Sequence, residues 1–128
     1  MKKIINPKNV HRRPNYNQGI MVDGGKLLFI AGQTAVDAKG NFVGKGDIEA
    51  QARQVYENMK AVLDDAGGSF DDIVKTTIYI TDIKHREGLH KIRKQYFTGD
   101  QATSTLLVIK GLAREEFLME VEAIAVIP

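Results

Sequence analysis

Two glutamates near the C-terminus are the side chains best placed for chemistry. Glu120 and Glu122 lie in residues 118–127, which otherwise resemble a buried strand. In an extended strand, residues two apart share a face, so both carboxylates point the same way with Cα atoms roughly 6–7 Å apart. Buried carboxylates require water, a cation, another subunit or a substrate as partner. We therefore expect a site on this strand, with a solvated face or structural hydrogen bonds as the alternative.

The composition limits the class of protein. The chain has 128 residues, 43% of them hydrophobic and 27% charged, which predicts a single domain over residues 1–128. It has no cysteine, which excludes disulfides, thiolate nucleophiles and cysteine–metal sites. A net charge of +2 is too small to indicate a nucleic-acid partner by itself. Neither a transmembrane segment nor a signal peptide is expected, so we predict a cytoplasmic protein with no membrane partner.

Hydrophobic periodicity predicts two helices and six strands. The first helix covers residues 47–66, with Asp47 as N-cap, and the second covers residues 84–97. The predicted strands are residues 2–5, 20–22, 26–31, 74–81, 104–109 and 118–127. A turn at residues 23–25 predicts that the second and third strands form a hairpin. This order indicates an α+β fold with two helices on one face of a mixed six-stranded sheet.

The other face of this sheet has no helix to cover it. Its predicted strands carry leucine, valine and isoleucine as well as charged residues. An apolar face of this size favours contact with another copy of the chain. We therefore expect self-association.

Four segments resemble the RidA (YjgF) family of reactive-intermediate deaminases. Residues 46–63 are similar to the first helix of that family, and residues 72–82 to its D-(I/V)-V-K-T-T strand. Ala31-Gly32-Gln33 resembles the S-G-Q turn, and residues 120–126 resemble the closing E-I-E-A-I-A-V strand. The resemblance covers nearly the whole chain.

This resemblance implies a fold, an assembly and a reaction. The fold is the RidA/chorismate-mutase-like α+β subunit, which assembles as a homotrimer with a small-molecule site in each intersubunit cleft. Members of the family that have the full motif hydrolyse enamines and imines, such as 2-aminoacrylate, to a keto acid and ammonia. No metal or organic cofactor is implied.

The resemblance also assigns the candidate site residues. Glu120 matches the glutamate that holds water or shuttles protons, although an interface carboxylate is the alternative. Tyr16 would line the cleft, and Gly32 would let the backbone approach a ligand. Ser104 and Thr105 would form hydrogen bonds with the ligand or the backbone, because no base for a serine-type nucleophile accompanies them.

One departure from the family motif bears on the substrate. Thr103 stands where the P-A-R-S motif has the arginine that clamps the substrate carboxylate. A threonine hydroxyl cannot replace a bidentate guanidinium–carboxylate pair. Arg13 is the first candidate to replace it, and Arg12, Lys110 and Arg114 are further ones. We therefore predict an enamine or imine substrate other than the usual one.

Two other functions stay open. The second helix is rich in basic residues, which would suit an RNA-binding, endoribonuclease-like translation inhibitor. No exposed aromatic residues accompany these charges, so we interpret them as a solvated surface and expect no nucleic-acid partner. His11, His85 and His90 are interpreted as surface residues without a metal. The other alternative is a non-catalytic, ligand-binding regulator that keeps the cleft without the chemistry.

Overall fold

The computed structural model describes residues 2–128 and contains the predicted elements in the predicted order. Short 3₁₀ turns, Phe70–Asp72 and Ile83–His85, precede the fourth strand and the second helix. The strands and helices are β1 (Lys2–Ile5), β2 (Gly19–Val22), β3 (Lys26–Gln33), α1 (Ile48–Ala66), β4 (Ile73–Ile80), α2 (Arg86–Tyr96), β5 (Thr103–Val108) and β6 (Met119–Ile127). Within the part of the chain described, no helix is both long and apolar enough to cross a membrane.

The sheet is mixed, as predicted, but it has four strands and not six, because the first two strands form a hydrogen-bonded unit of their own. The other four form one sheet in the order β3-β6-β4-β5. β6 runs antiparallel to both β3 and β4, whereas β4 and β5 are parallel. β1 and β2 form a separate antiparallel ribbon. The long β6 strand is therefore at the centre of the main sheet, and β5 is at one edge.

The predicted hairpin between the second and third strands is wrong. A turn does occur there, and Gly24 and Gly25 adopt positive φ angles of 78° and 88°. It joins strands of different sheets, because β2 forms its ladder with β1 and β3 forms its ladder with β6. A methyl group at Gly25 would overlap Val126, so this turn also packs closely against the end of β6.

The ends of α1 follow from its sequence. Asp47 is the N-cap, as predicted, and its side chain accepts a hydrogen bond of 3.1 Å from the backbone N–H of Ala50. Gly67 ends the helix in the left-handed conformation, at φ 78°. The buried face of α1 joins α2 and the sheet in a single core. Its apolar members are Ala52, Val55, Tyr56, Met59 and Leu63.

Both helices lie on the same side of the main sheet. Alternate residues of β6, from Met119 to Ile127, are buried on that side. A register shift in β4 makes Ile73 buried and Val74 half-buried. The opposite side, here called the uncovered face, includes Glu120 and Glu122 of β6. It also exposes Phe29 of β3, which is 71% accessible.

A buried glutamine joins α1 to two loops. Gln51 is fully buried, and its Nε2 donates to the carbonyl oxygens of Gly44 and Glu116, each at 3.0 Å. Its Oε1 accepts a 2.9 Å hydrogen bond from the N–H of Leu118. These bonds satisfy three backbone groups next to α1 and β6, so the residue fixes the approach of the chain to β6.

We expect Gln51→Ala to lower the free energy of unfolding by about 3 kcal/mol, because buried backbone groups lose their partners. Gln54→Ala is the matched control, since Gln54 is on the same helix and its Nε2 donates to the side chain of Asn58, not to a backbone carbonyl. That control should change stability by no more than about 0.5 kcal/mol. Urea unfolding monitored by circular dichroism measures both, and equal losses would contradict the role given to Gln51.

Candidate functional site

A cleft of about 560 Å³ lies between β5, α2 and the loop that leads to β2. Four of the predicted site residues line this cleft together: Arg13, Tyr16, Ser104 and Thr105. The remaining lining residues are Pro14, Asn15, Ile78, Arg86, His90, Arg93 and Leu106. The structure therefore brings the loop and β5 candidates into one cavity.

A hydrogen-bond network holds this loop against β5. The buried Asn17 donates from its backbone N–H to the carbonyl oxygen of Ala102 at 3.1 Å, and from Nδ2 to that of Gln101 at 2.5 Å. Its Oδ1 accepts from Asn6 at 2.9 Å. On β5, Ser104 Oγ lies 2.9 Å from Thr76 Oγ1, which donates to it. The walls of the cleft are thus held by structural bonds.

A buried arginine of α2 also lines the cleft. Arg93 is only 3% exposed, and burial lowers the pKa of its guanidinium. Its Nη1 donates to Asn15 O at 3.2 Å and to Gln101 Oε1 at 3.0 Å. Nε and Nη2 are buried without a hydrogen-bond partner, and the guanidinium lies 4.6 Å from the centre of the Phe97 ring. None of these contacts neutralises the charge.

The charges around the cleft have one sign. Arg13, Arg86 and Arg93 line it, and none of the lining residues in the part of the chain described is acidic. The pKa of His90 is lowered, first by burial and then by Arg93, Arg86 and Lys94. This histidine is half-buried, not on the surface as predicted. The cleft suits a small ligand that carries negative charge.

Two of the remaining three predicted residues, Gly32 and Glu120, meet on the uncovered face. Gly32 is packed so closely on Glu120 that a methyl group at residue 32 would overlap the carboxylate. Burial raises the pKa of Glu120, and the neighbouring Glu122 raises it further. Glu122 is exposed and accepts a 2.6 Å hydrogen bond from the Tyr79 hydroxyl. Glu120 is thus the carboxyl group that binds a proton more readily than usual.

Within one chain these two groups of residues are separate. Neither Gly32 nor Glu120 lines the cleft, because Glu120 lies on the uncovered face whereas Arg93 belongs to the helical side. Thr103 is also outside the lining, and its Oγ1 donates to the carbonyl oxygen of Val74 at 2.6 Å. Its hydroxyl is therefore occupied by a backbone contact.

Of the cations considered as replacements for the motif arginine, only Arg13 lines the cleft. Arg12 and Lys110 are exposed and lie outside its lining. Arg114 is also outside it, with Nη1 4.0 Å from Glu116 Oε1 and its guanidinium 5.4 Å from the Phe117 ring centre. Their positions give no reason to assign them to a ligand.

Sequence reasoning missed Arg93, which it placed among the solvated charges of the second helix. The structure corrects this, because Arg93 is buried. A signal was present in the helical spacing. Arg93 is four residues after Leu89 and next to Ile92, and both of these are core residues of α2. The arginine therefore occupies a position at the edge of the apolar stripe.

The chain is similar to known proteins over nearly its whole length. The family model described as endoribonuclease L-PSP matches residues 8–127. A RutC family protein of Pyrococcus horikoshii is 37% identical over 126 residues, which cover 98% of both chains. A RutC family protein of Synechocystis is 38% identical over 116 residues, covering 88% of this chain and 86% of the relative. The crystal structure of the conserved Rid-family protein YyfB from Yersinia pestis is 30% identical and superposes with a TM-score of 0.90, covering 98% of each chain.

The coupling between the two glutamates can be measured. We expect Glu122→Gln to lower the pKa of Glu120, because it removes the like charge and leaves the effect of burial in place. A pH titration of the carboxyl resonances by ¹³C NMR gives the pKa of Glu120 in the wild type and in the variant. Glu57→Gln, on α1, is the control and should leave the pKa of Glu120 unchanged. A pKa of Glu120 that stays constant or rises in Glu122→Gln would contradict the coupling.

Proposed function

Because the chain belongs to the endoribonuclease L-PSP family, which its Rid and RutC relatives share, we propose that it hydrolyses an enamine or imine to a carbonyl product and ammonia. The observation that carries this proposal is Glu120, a partly buried carboxyl group with a raised pKa next to a glycine. The substrate differs from the usual one, because Thr103 replaces the arginine that would clamp its carboxylate.

The reaction requires proton transfers and one water molecule. An enamine takes a proton on carbon and becomes the imine. Water then adds to the C=N carbon while the nitrogen is protonated, and the C–N bond breaks as the C=O bond forms, so that imine and water become carbonyl compound and ammonia. A single carboxyl group can perform both transfers: it accepts a proton from the attacking water and returns one to the leaving nitrogen.

Glu120 suits this exchange because of its surroundings. Burial and the charge on Glu122 both favour its protonated form, so its pKa lies closer to neutral pH than that of a free glutamate. A general acid and base is most effective when its pKa is near the working pH. Because Gly32 has no side chain, the Glu120 carboxylate can occupy the position that a methyl group at residue 32 would take.

We place the reaction in clefts between the subunits of a homotrimer. Glu120 and the cleft residues do not share a cavity within one chain, so a complete site needs the uncovered face of one copy against the cleft of another. The exposed side chains of that face support such contact, because Leu27 and Phe29 are 65% and 71% accessible. They lie opposite Val126 and Ile124 in the ladder, which makes the apolar surface continuous.

RNA binding is the second candidate, since the family is named for an endoribonuclease and the exposed part of α2 is basic. The aromatic residues near α2 do not favour it. Tyr96 donates its hydroxyl to Glu57 at 2.7 Å, and Phe97 is buried, so neither offers a free ring for base stacking. Retention of RNA that falls steeply with salt would support this candidate.

Turnover tests the proposal. We expect ammonia release from at least one member of a series that comprises 2-aminoacrylate and the imines of larger 2-amino acids, all generated in situ. Glu120→Gln should lower the rate for that substrate by about 10²-fold, because the proton transfers lose their carboxylate. Glu115→Gln, in the exposed loop before β6, is the control and should retain the rate.

The same series tests the role of Thr103. Wild-type protein should release ammonia slowly from 2-aminoacrylate, and Thr103→Arg should be faster, because a guanidinium at this position can clamp the carboxylate. No turnover of any member by either protein would contradict a deaminase and favour a ligand-binding regulator.

The assembly is tested by Phe29→Glu. We expect the wild type to have three times the 14.2 kDa mass of one chain in sedimentation equilibrium. A charge in the centre of the proposed interface should dissociate it, because association would remove the carboxylate from water against the apolar Ile124. Ile83→Glu is the matched control, since Ile83 is 58% exposed in the turn before α2. A monomeric wild type would contradict the trimer.

A further inference from the structure

We propose that Arg93 is the anion anchor of the cleft and binds a carboxylate group of the ligand. The inference rests on the proposed function for the identity of that ligand, a 2-imino acid or its 2-oxo acid product. It assigns to α2 the role that the missing P-A-R-S arginine would have had at the start of β5. It also makes Arg93 a residue that determines which substrates fit.

The first argument is the burial of an unneutralised charge. A guanidinium stays protonated in proteins, so burial cannot remove its charge. Arg93 is 3% exposed, and no carboxylate of residues 2–128 forms a salt bridge with it. Burying a charge without a counter-ion is unfavourable, and an anionic ligand would supply that counter-ion.

The second argument is the state of its donors. Both acceptors of Nη1, the carbonyl of Asn15 and the amide oxygen of Gln101, are neutral. Nη2 has no acceptor. Gln101 is partly exposed, so its amide can move aside and leave the Nη1 and Nη2 end of the guanidinium to a carboxylate. Two parallel bonds to a charged acceptor are stronger than one bond to a neutral amide.

The third argument is that the guanidinium is already oriented. Its plane lies near the Phe97 ring, with 4.6 Å between the guanidinium carbon and the ring centre. The backbone of Asn15 fixes Nη1 from the loop side. A side chain held in this way loses little conformational entropy when a ligand binds, which favours affinity.

The fourth argument is the chemistry of the rest of the cleft. Arg13 and Arg86 add positive charge, and no lining residue offers an opposing carboxylate. Tyr16, Ile78 and Leu106 provide apolar surface for the carbon part of a small organic acid. A cavity of about 560 Å³ has the size of a small-molecule site. Apolar walls around a planar cationic group fit a carboxylic acid better than inorganic phosphate.

Binding is measured on the full chain by isothermal titration calorimetry, with pyruvate and 2-oxoglutarate as probes. We expect at least one of them to bind, and Arg93→Lys to weaken it about tenfold or more, because an ammonium cannot form the bidentate pair. Arg13→Ala should weaken binding severalfold. Arg12→Ala is the matched control, since this exposed neighbour does not line the cleft, and it should bind like the wild type.

A second readout needs no substitution at the buried position. In ¹H–¹⁵N NMR spectra of the wild type, the Nε–H resonance of Arg93 should shift as pyruvate or 2-oxoglutarate is added, and that of Arg12 should not. This measurement decides the question if Arg93→Lys fails to fold. No binding of either acid, or binding that leaves the Arg93 resonance and the Arg93→Lys affinity unchanged, would overturn the proposal. Binding of inorganic phosphate alone would overturn the carboxylate assignment.

These outcomes are separable from those of the turnover assay. Binding that depends on Arg93, in a protein that hydrolyses no imine, would retain the anchor and reject the deaminase. Turnover that depends on Glu120 but is indifferent to Arg93→Lys would retain the deaminase and reject the anchor. Glu120→Gln should bind the acids while losing turnover, because glutamine has nearly the size of glutamate and leaves the Arg93 guanidinium in place, but it cannot exchange the proton.

Discussion

Two helices can cover only one face of a four-stranded sheet, and the rest of the molecule follows from this constraint. The helical side is filled by alternate residues of β6 and by the apolar faces of α1 and α2. The uncovered face keeps Phe29 in contact with solvent in a single chain, together with two carboxylates that a core would exclude. One strand thus supplies both the centre of the core and the acidic residues of the proposed site, because its two faces meet different surroundings.

A second constraint acts on the helical side, where a cationic residue occupies a position next to the core. Arg93 is fixed by neutral oxygens and by an aromatic ring, which orient a guanidinium but do not balance its charge. Such an arrangement is costly as pure structure, since an apolar side chain at this position would avoid the desolvation. An anion bound in the cleft would balance the charge of Arg93 and so explain why an arginine occupies this position. The hydroxyl of Thr103, bonded to the backbone of β4, leaves that role to α2.

The sequence predicted what local patterns determine. The spacing of apolar residues and the N-cap Asp47 were sufficient for α1, and the alternation in β6 identified which residues share a face. The pairing of the strands was harder to predict. The glycine turn before β3 is compatible with a hairpin, but β2 pairs with β1 and β3 pairs with β6, and these partners are distant in the sequence. Arg93 was missed for a related reason. Charge indicates exposure on average, whereas its helical position next to Ile92 indicated burial.

The location of the acid–base group and of the anchor also bears on how the site works. Glu120 belongs to the uncovered face of the sheet and Arg93 to its helical side, so the sheet separates them within one chain. A ligand held by Arg93 can meet a Glu120 only if a neighbouring copy presents its own uncovered face to the cleft. Association would then do more than bury Phe29. It would exclude water around Glu120 and strengthen the effect of Glu122 on the protonation of Glu120. It would also complete the site. Folding of one chain would then position the residues, and assembly would bring together the groups that react.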